Sequence, residues 1–507
     1  MGLYDLTFYD VVNRNAVAFK DKQAWVEAED GRTLTFAQFK DQVDRLASGL
    51  QEHGIQKGDR IGVLSKNNLG YFLLFGAAAA LGVIMLPINW RLSAEEVCFN
   101  LNDGAPKILF ADKEYETVIR AIRGKLPSVH TYCAFGPGGD GFLDFSSLFR
   151  GHEDFKHPEV GSNDGFVIIH TAAVAGRPRG ALLSHGNVLL ANMHFDYLMN
   201  ITSKDVHLSF LPLFHVGGLF MATAAFHAGS ANVSMAKFEA ERALAVVQER
   251  KVSFMMVFSP VLATLLTESA KNHGNLKCLR AVTGIDTPET IEQYQKATGG
   301  TFYSMYGQTE TSCLATFAPY GENPGSAGRV LPLAEVRLVD DYDRPVPEGG
   351  VGEITVKGPM VFKGYWNLPE DTAYTFREGW HHTGDLGRFD HEGFLWYAGR
   401  KAEKELIKPG GENVYPAEVE KAILQHPAVE QVVVFGIPDP KWKEGIKAVC
   451  RLKEGRSLEA QTLIDFVGER IARYKKPQQV EFVGSLPLRG DGSPDRAKIK
   501  ELYGGQR

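Results

Sequence analysis

Apolar positions recur along the first 160 residues in two alternating rhythms. Thr33-Leu34-Thr35 precedes an amphipathic stretch over residues 36–53, and Arg60-Ile61-Gly62-Val63-Leu64 follows it. Spacings of three and four predict a helix for the longer stretch, and the short apolar runs predict strands. Residues 71–88 carry no charge and are long enough to span a bilayer. Gly76, Gly82 and Pro87 interrupt that run, however. Its character also changes, from Phe72-Leu73-Leu74-Phe75 and four alanines, which suits a buried helix, to Val83-Ile84-Met85-Leu86, which suits a buried strand. The expectation is strand, helix, strand, helix, strand, with no transmembrane segment. This alternation signals α/β architecture with buried parallel strands.

The rhythm resumes at Phe166-Val167-Ile168-Ile169, read as a buried strand, and a helix is predicted to start after Ser184-His185-Gly186-Asn187. Residues 205–310 repeat the theme. They include Phe214-His215-Val216-Gly217-Gly218, expected at a strand end, and Tyr306-Gly307-Gln308-Thr309-Glu310. Residues 325–400 change to period two, as in Glu335-Val336-Arg337-Leu338-Val339, with Gly/Pro turns between runs, which predicts a small antiparallel region. Beyond it, a helix over 416–425, strands over 430–436 and 446–452, a helix over 458–473 and a strand over 479–483 make a compact α+β module. A large domain over 1–400 and a small lid over 401–507 are expected. Their junction carries a Thr383-Gly384-Asp385 turn, Gly399-Arg400 and the loop Gly410-Gly411-Glu412-Asn413, which together look like a ligand site at a domain boundary.

Composition narrows the class. A chain of 507 residues, 44 % hydrophobic and 23 % charged, is globular and too long for one core. A net charge of −6 without a long basic run argues against nucleic acid as a partner, because phosphate neutralisation needs a clustered positive face. The five cysteines, at 98, 133, 278, 313 and 450, have no close pairing, so neither a disulfide framework nor a zinc site is expected, and a reducing, cytoplasmic setting fits. Met1-Gly2-Leu3-Tyr4-Asp5-Leu6 offers neither a secretory leader nor a myristoylation signal. A P-loop kinase does not fit, since no Gly-x-x-x-x-Gly-Lys-Ser/Thr occurs.

Three separated blocks carry the chemistry: residues 170–180, Tyr306 to Glu310, and the series Thr383-Gly384-Asp385, Gly399-Arg400, Gly410-Gly411-Glu412-Asn413. Alone, Tyr-Gly-x-Thr-Glu reads as a turn with an exposed acid. In this order and over nearly the whole chain, the set resembles the adenylate-forming (AMP-binding) superfamily of acyl-CoA synthetases, firefly luciferase and peptide-synthetase adenylation domains. That resemblance implies a large N-terminal domain of two α/β subdomains plus a β-barrel-like part, and a small mobile C-terminal domain. It implies ATP, Mg²⁺ and coenzyme A, with a carboxylate attacking the α-phosphorus of ATP and a thiol then displacing AMP. A carboxylate is a poor electrophile, and the mixed anhydride supplies a leaving group.

Residue by residue, the resemblance assigns Glu310 to magnesium, Thr309 to phosphate, and Tyr306 with Gly307 to the adenine, and it places Gly284, from a block that also walls the pocket, among the cofactor-binding residues. It gives Asp385 to both ribose hydroxyls, suited to a two-oxygen acceptor, and Arg400, Thr171 and Arg179 to ribose and phosphate. Gly410, Gly411 and Glu412 would line the pantetheine channel. Lys498 would neutralise charge during adenylation, with Lys500 as the fallback because the spacing from Pro487 is longer than usual. Glu405 is the candidate hinge in an extended joint. His215, Val216, Gly217 and Phe258 would wall the acyl pocket, although a lone histidine is as often plain structure. These walls are apolar, so the expected partner is a small-molecule carboxylic acid with an uncharged acyl tail, with a homodimer left open.

Two alternatives remain: acyl transfer to a carrier protein, separate because the sequence ends at Arg507, and a catalytically impaired fold that binds nucleotide and acyl group. The second arises from Ala172-Ala173-Val174-Ala175, where relatives carry a Ser/Thr/Gly-rich loop. Lost hydroxyls remove charge-assisted hydrogen bonds to phosphate, each worth about 1.5–3 kcal/mol. Arg179 keeps the positive charge, so a working enzyme with weakened ATP binding is expected. Returning Ser, Gly and Thr to positions 172–175 should tighten the KM for ATP by about ten- to a hundredfold per restored contact, measured by AMP release. An unchanged KM would mean that the loop's backbone alone holds the phosphates.

Overall fold

The uncharged run resolves into two elements because Gly82 turns the chain between them. Leu69–Leu81 is a helix capped by Asn68, whose side chain accepts the Tyr71 N–H at 2.9 Å, and it ends at Gly82 in the left-handed conformation (φ 65°). Every residue of it but Gly70 is buried, and the chain returns in the strand Ile84–Pro87. Thirteen residues cannot cross a bilayer, and no helix among the described residues is long and apolar enough to do so. This computed structural model describes residues 5–505 except 140, 152–155, 172–177, 402–405, 441 and 490–493.

The fold is mixed α/β, with a large N-terminal and a smaller C-terminal domain. By contacts the chain divides into two units: Met1–Trp90, Asn100–Ile169 and Gly180–Gly399 form one, and Arg91–Phe99, His170–Arg179 and Arg400–Arg507 the other. The first contains a nine-stranded and most of an eight-stranded sheet, both mainly parallel, and a five-stranded antiparallel sheet that supplies the β-barrel-like part. An aromatic core lies at its centre, with Trp25 stacked on Phe72 at 4.4 Å and Phe226 tilted onto Phe39 at 4.9 Å. Such pairs add about 0.5–1.5 kcal/mol each beyond burial.

Three local expectations change. Thr33–Thr35 is an edge strand antiparallel to Gln23–Glu27 rather than a buried parallel one, since only Leu34 of the three has an apolar side chain to bury. The helix His185–Leu198 starts earlier than expected, because Ser184 and Asn187 close a capping box. His215 is the N-cap residue of the helix Val216–His227 rather than a strand end.

In the second unit, the strands Val429–Asp439 and Lys443–Leu452 pair antiparallel and Gln479–Phe482 joins in parallel. The helix expected over 458–473 stops at Gly468, and a 3₁₀ turn, Arg473–Lys475, follows. Lys475 is 2 % exposed and lies 2.5 Å from Glu96 and 2.6 Å from Glu418. Burial alone would discharge all three. For Lys475 the two carboxylates outweigh burial and hold its pKa above the usual lysine value. For Glu96, burial is outweighed by the Lys475 ammonium and Ser93, and its carboxyl sits below the usual range. Burial keeps Glu418 above it.

Lys475→Met would leave two buried carboxylates without their cation. The second unit should lose roughly 3–5 kcal/mol in chemical denaturation. With the lysine gone, both folded-state carboxyl pKa values lie above their unfolded values, so the loss should be larger at about pH 8 than at about pH 5. A pH-independent deficit would indicate lost packing alone.

Candidate active site

In the nine-stranded sheet, Val206–Ser209 lies between Ala231–Ser234 and Phe254–Phe258, with Ala281–Ile285 and Thr301–Tyr306 following beyond. The chain leaves Val206–Ser209 toward one neighbour and then crosses to the other, so the strand order reverses there. Parallel sheets bind ligands at the carboxyl ends of strands beside such a reversal. His215, Val216 and Gly217 follow the first of these strands and Phe258 ends the next, so the structure brings the expected acyl-pocket residues to this crevice. Gly284 sits at the end of its strand with φ 136°, and a Cβ there would lie 1.8 Å from the Val257 carbonyl oxygen. Only glycine permits that approach.

Tyr306 ends the strand Thr301–Tyr306, and Gly307 passes so close to Cys313 that a Cβ would meet its carbonyl oxygen at 2.1 Å. The 3₁₀ turn Thr309–Thr311 then gives way to Ser312 and Cys313, both left-handed without being glycine (φ 52° and 82°). Such backbone is costly and persists only where its surroundings over-determine it. Here Ser312 Oγ donates to the Met360 carbonyl at 2.5 Å, and the Glu310 carbonyl accepts the Phe362 N–H at 2.9 Å. Glu310 is therefore no exposed turn acid. It is 6 % exposed, and the Tyr365 hydroxyl donates to its Oε1 at 2.8 Å.

Thr383, Gly384 and Asp385, expected as a turn, form a bulge inside one continuous strand, Trp380–Phe389. His381 faces Val356 and His382 faces Thr355, whereas Leu386 faces Glu353, so three residues stand opposite Ile354. Gly384 supplies the left-handed φ of 69°. Its N–H is held by Glu353 Oε1 at 2.9 Å, and Thr383 Oγ1 donates to the Ile354 carbonyl at 2.6 Å. The bulge re-aims the Asp385 side chain, which is 4 % exposed and accepts the Tyr306 hydroxyl at 2.8 Å and Gln308 Nε2 at 3.0 Å on the same oxygen, Oδ2.

Asp343, Glu353 and His382 point ligand atoms within 4.8 Å of one another, a spacing that would suit a metal ion. Arg377 already supplies the cation. Its guanidinium donates to Asp343 at 2.9 and 3.1 Å and to His382 Nδ1 at 2.7 Å, and lies 3.8 Å from Glu353. This pairing holds the Asp343 carboxyl below the usual range.

The remaining candidates belong to the second unit. Thr171 ends the strand Gly165–Thr171 and donates to the Arg179 carbonyl at 3.3 Å, while the Ala172–Ala175 loop between them lies outside the described residues, as does Glu405. Arg400 ends the strand Leu395–Arg400. Gly410 and Gly411 form the tip of a loop closed by reciprocal 2.8 Å bonds between Ile407 and Val414. Gly410 has φ 59°, and a Cβ on it would stand 2.8 Å from the Trp442 ring. Glu412 forms an ion pair with Arg91. Lys498 is exposed in the first turn of the helix Arg496–Tyr503, whose N-cap Asp495 accepts its N–H at 3.2 Å, and Lys500 lies one half-turn on. The sequence reading missed Gln308, Glu353 and Tyr365, which bond to Asp385, Gly384 and Glu310, and also His381 and Arg377, which pair in turn with Gln308 and Glu353.

The family model "AMP-binding enzyme" matches residues 12–366, and "AMP-binding enzyme C-terminal domain" matches 418–492. An indoleacetate–CoA ligase of Aromatoleum aromaticum is 34 % identical over 93 % of each chain. A feruloyl-CoA synthase of an Amycolatopsis species is 32 % identical over 94 % of this chain and 95 % of the relative. Among solved structures, one described as a putative long-chain-fatty-acid CoA ligase from Rhodopseudomonas palustris is 46 % identical, with a TM-score of 0.76 over 79 % of this chain and all of that one.

Proposed function

The chain belongs to the AMP-binding enzyme family, and from that membership we propose which acid it activates and how its residues divide the work. The enzyme is an acid–thiol ligase that uses ATP to form an acyl-adenylate and transfers the acyl group to coenzyme A. A carboxylate oxygen bonds to the α-phosphorus as the bond to the β-phosphate oxygen breaks and pyrophosphate leaves. The thiol sulfur then attacks the acyl carbon, the thiol proton is given up, and AMP departs.

The observation that carries the assignment of roles is the Asp385 carboxylate, buried in a strand bulge and tied to Tyr306 and Gln308 of the Tyr-Gly-x-Thr-Glu block. A fixed, desolvated acceptor suits the ribose diol, and Tyr306, Gly307 and Gly284 offer the adenine a ring face and two stretches of backbone without side chains. Thr309 serves phosphate. Thr171, Arg179 and Arg400 supply a hydroxyl and two permanent charges for ribose and phosphate oxygens. Lys498 neutralises charge between carboxylate and α-phosphate, Glu405 is the pivot of the lid, and Gly410, Gly411 and Glu412 border the pantetheine.

Glu310 fits Mg²⁺, since Tyr365 occupies one carboxylate oxygen and the other remains for a cation of the kind held by one or two carboxylates plus substrate phosphate. When bound, Mg²⁺ would offset charge on the phosphates. The cysteines, none in a disulfide, support a reducing, cytoplasmic setting.

The acid has an uncharged tail, and aromatic acids suit it best. Phe214 and His215 place their rings 4.4 Å apart, Trp90 meets Phe214 edge-on at 6.4 Å, and Met256 and Phe258 approach Gly217. None of these residues carries a fixed charge, so an ionised tail would be desolvated without compensation. The relatives that act on indoleacetate and ferulate support the aromatic preference. Release of AMP with coenzyme A present, across arylacetic, phenylpropenoic, alkanoic and dicarboxylic acids, tests this. An aromatic acid should exceed a dicarboxylate of similar length in kcat/KM by about a hundredfold, as about 2–3 kcal/mol of uncompensated polar burial implies. Equal rates would contradict the reading.

A further inference from the structure

Asp385 is held through a relay that extends beyond the family's motif. A carboxylate only accepts, so the Gln308 group 3.0 Å from Asp385 Oδ2 is the amide nitrogen, which also donates to the Thr383 carbonyl at 3.3 Å. This turns Gln308 Oε1 toward His381 Nε2 at 3.0 Å. An amide oxygen also only accepts, so Nε2 carries the proton. His381 Nδ1 then faces the Thr375 hydroxyl at 3.1 Å. His381 is 1 % exposed and packed edge-on against Phe362 at 5.3 Å, which fixes the ring as its hydrogen bonds fix the tautomer. Every link is buried or half-buried, and each direction follows from the acid at the end of the chain.

We propose that Gln308 and His381 are positioning residues for nucleotide binding: His381 orients the Gln308 amide, and the amide with Tyr306 holds Asp385 Oδ2, so that the carboxylate keeps one orientation toward the ribose. The proposal rests on the reading of Asp385 as the ribose acceptor. A loosened carboxylate would still sit in the bulge built by Gly384 and Glu353. What it would lose is its fixed orientation toward the sugar.

The test pairs variants of the 507-residue chain with a nucleotide lacking the groups that Asp385 meets. In His381→Leu and Gln308→Met, KM for ATP should rise about three- to tenfold, the effect of one hydrogen bond, with kcat within about twofold and KM for the acid unchanged. Calorimetric Kd values for ATP should show the same loss, and those for 2′,3′-dideoxy-ATP should match wild type. His381→Gln, which keeps a donor near the Nε2 position, should recover ATP affinity. An equal penalty on both nucleotides would reduce the relay to packing and overturn the proposal, as would unchanged ATP affinity. Asp385→Ala separates the two layers of the argument. If it loses the preference for ATP over the dideoxy nucleotide while the relay variants keep it, only the proposal falls. If it keeps that preference, the reading of Asp385 falls and the proposal with it.

Discussion

A buried carboxylate that can accept but never donate sets the order of the groups around it. Asp385 is almost fully enclosed, and its Oδ2 draws a phenol and an amide from the loop that also carries Thr309 and Glu310. Once Asp385 points inward, Gln308 has one permitted orientation and His381 one permitted tautomer. The inward aim comes from the backbone: Gly384 takes a left-handed φ, two extra residues enter the strand, and Glu353 meets the released N–H. Arg377 in turn neutralises Glu353 and Asp343, which would otherwise repel each other. The result is a preorganised acceptor whose donors come from two elements far apart in sequence.

The parallel sheet provides the other half of the site. Its strand order reverses beside Val206–Ser209, which opens a crevice at the carboxyl ends. Gly284 and Gly307 lie where neighbouring backbone leaves no room for a Cβ, at the carboxyl ends of the two strands that follow Phe254–Phe258 across the sheet. Tyr306 ends the strand Thr301–Tyr306 and bonds to Asp385 in the antiparallel sheet, so this hydrogen bond joins the two layers.

Much of this was legible in the sequence. The alternation of helix and strand over 33–88 is periodic enough to place each element, and the three blocks of small, hydroxyl-bearing and acidic residues identify the family. What the sequence could not express was context. Thr383-Gly384-Asp385 reads as a turn from its residues alone, and recognising it as a bulge inside the strand Trp380–Phe389 needs the register of its partner, Gly352–Lys357. Thr33–Thr35 carries the same pattern whether its neighbour is parallel or antiparallel. Gln308, Tyr365 and His381 reach their partners across 77, 55 and 73 residues of chain, and no local spacing encodes contacts of that range.

The central claim is that the site organised by Asp385 carries out adenylation. Acid-dependent exchange of labelled pyrophosphate into ATP, run without coenzyme A, isolates that half-reaction. Exchange that requires an acid with an uncharged tail and that is lost in Asp385→Ala is the result predicted. Absence of exchange with every acid by a folded chain that binds ATP, or exchange unchanged in Asp385→Ala, would contradict it.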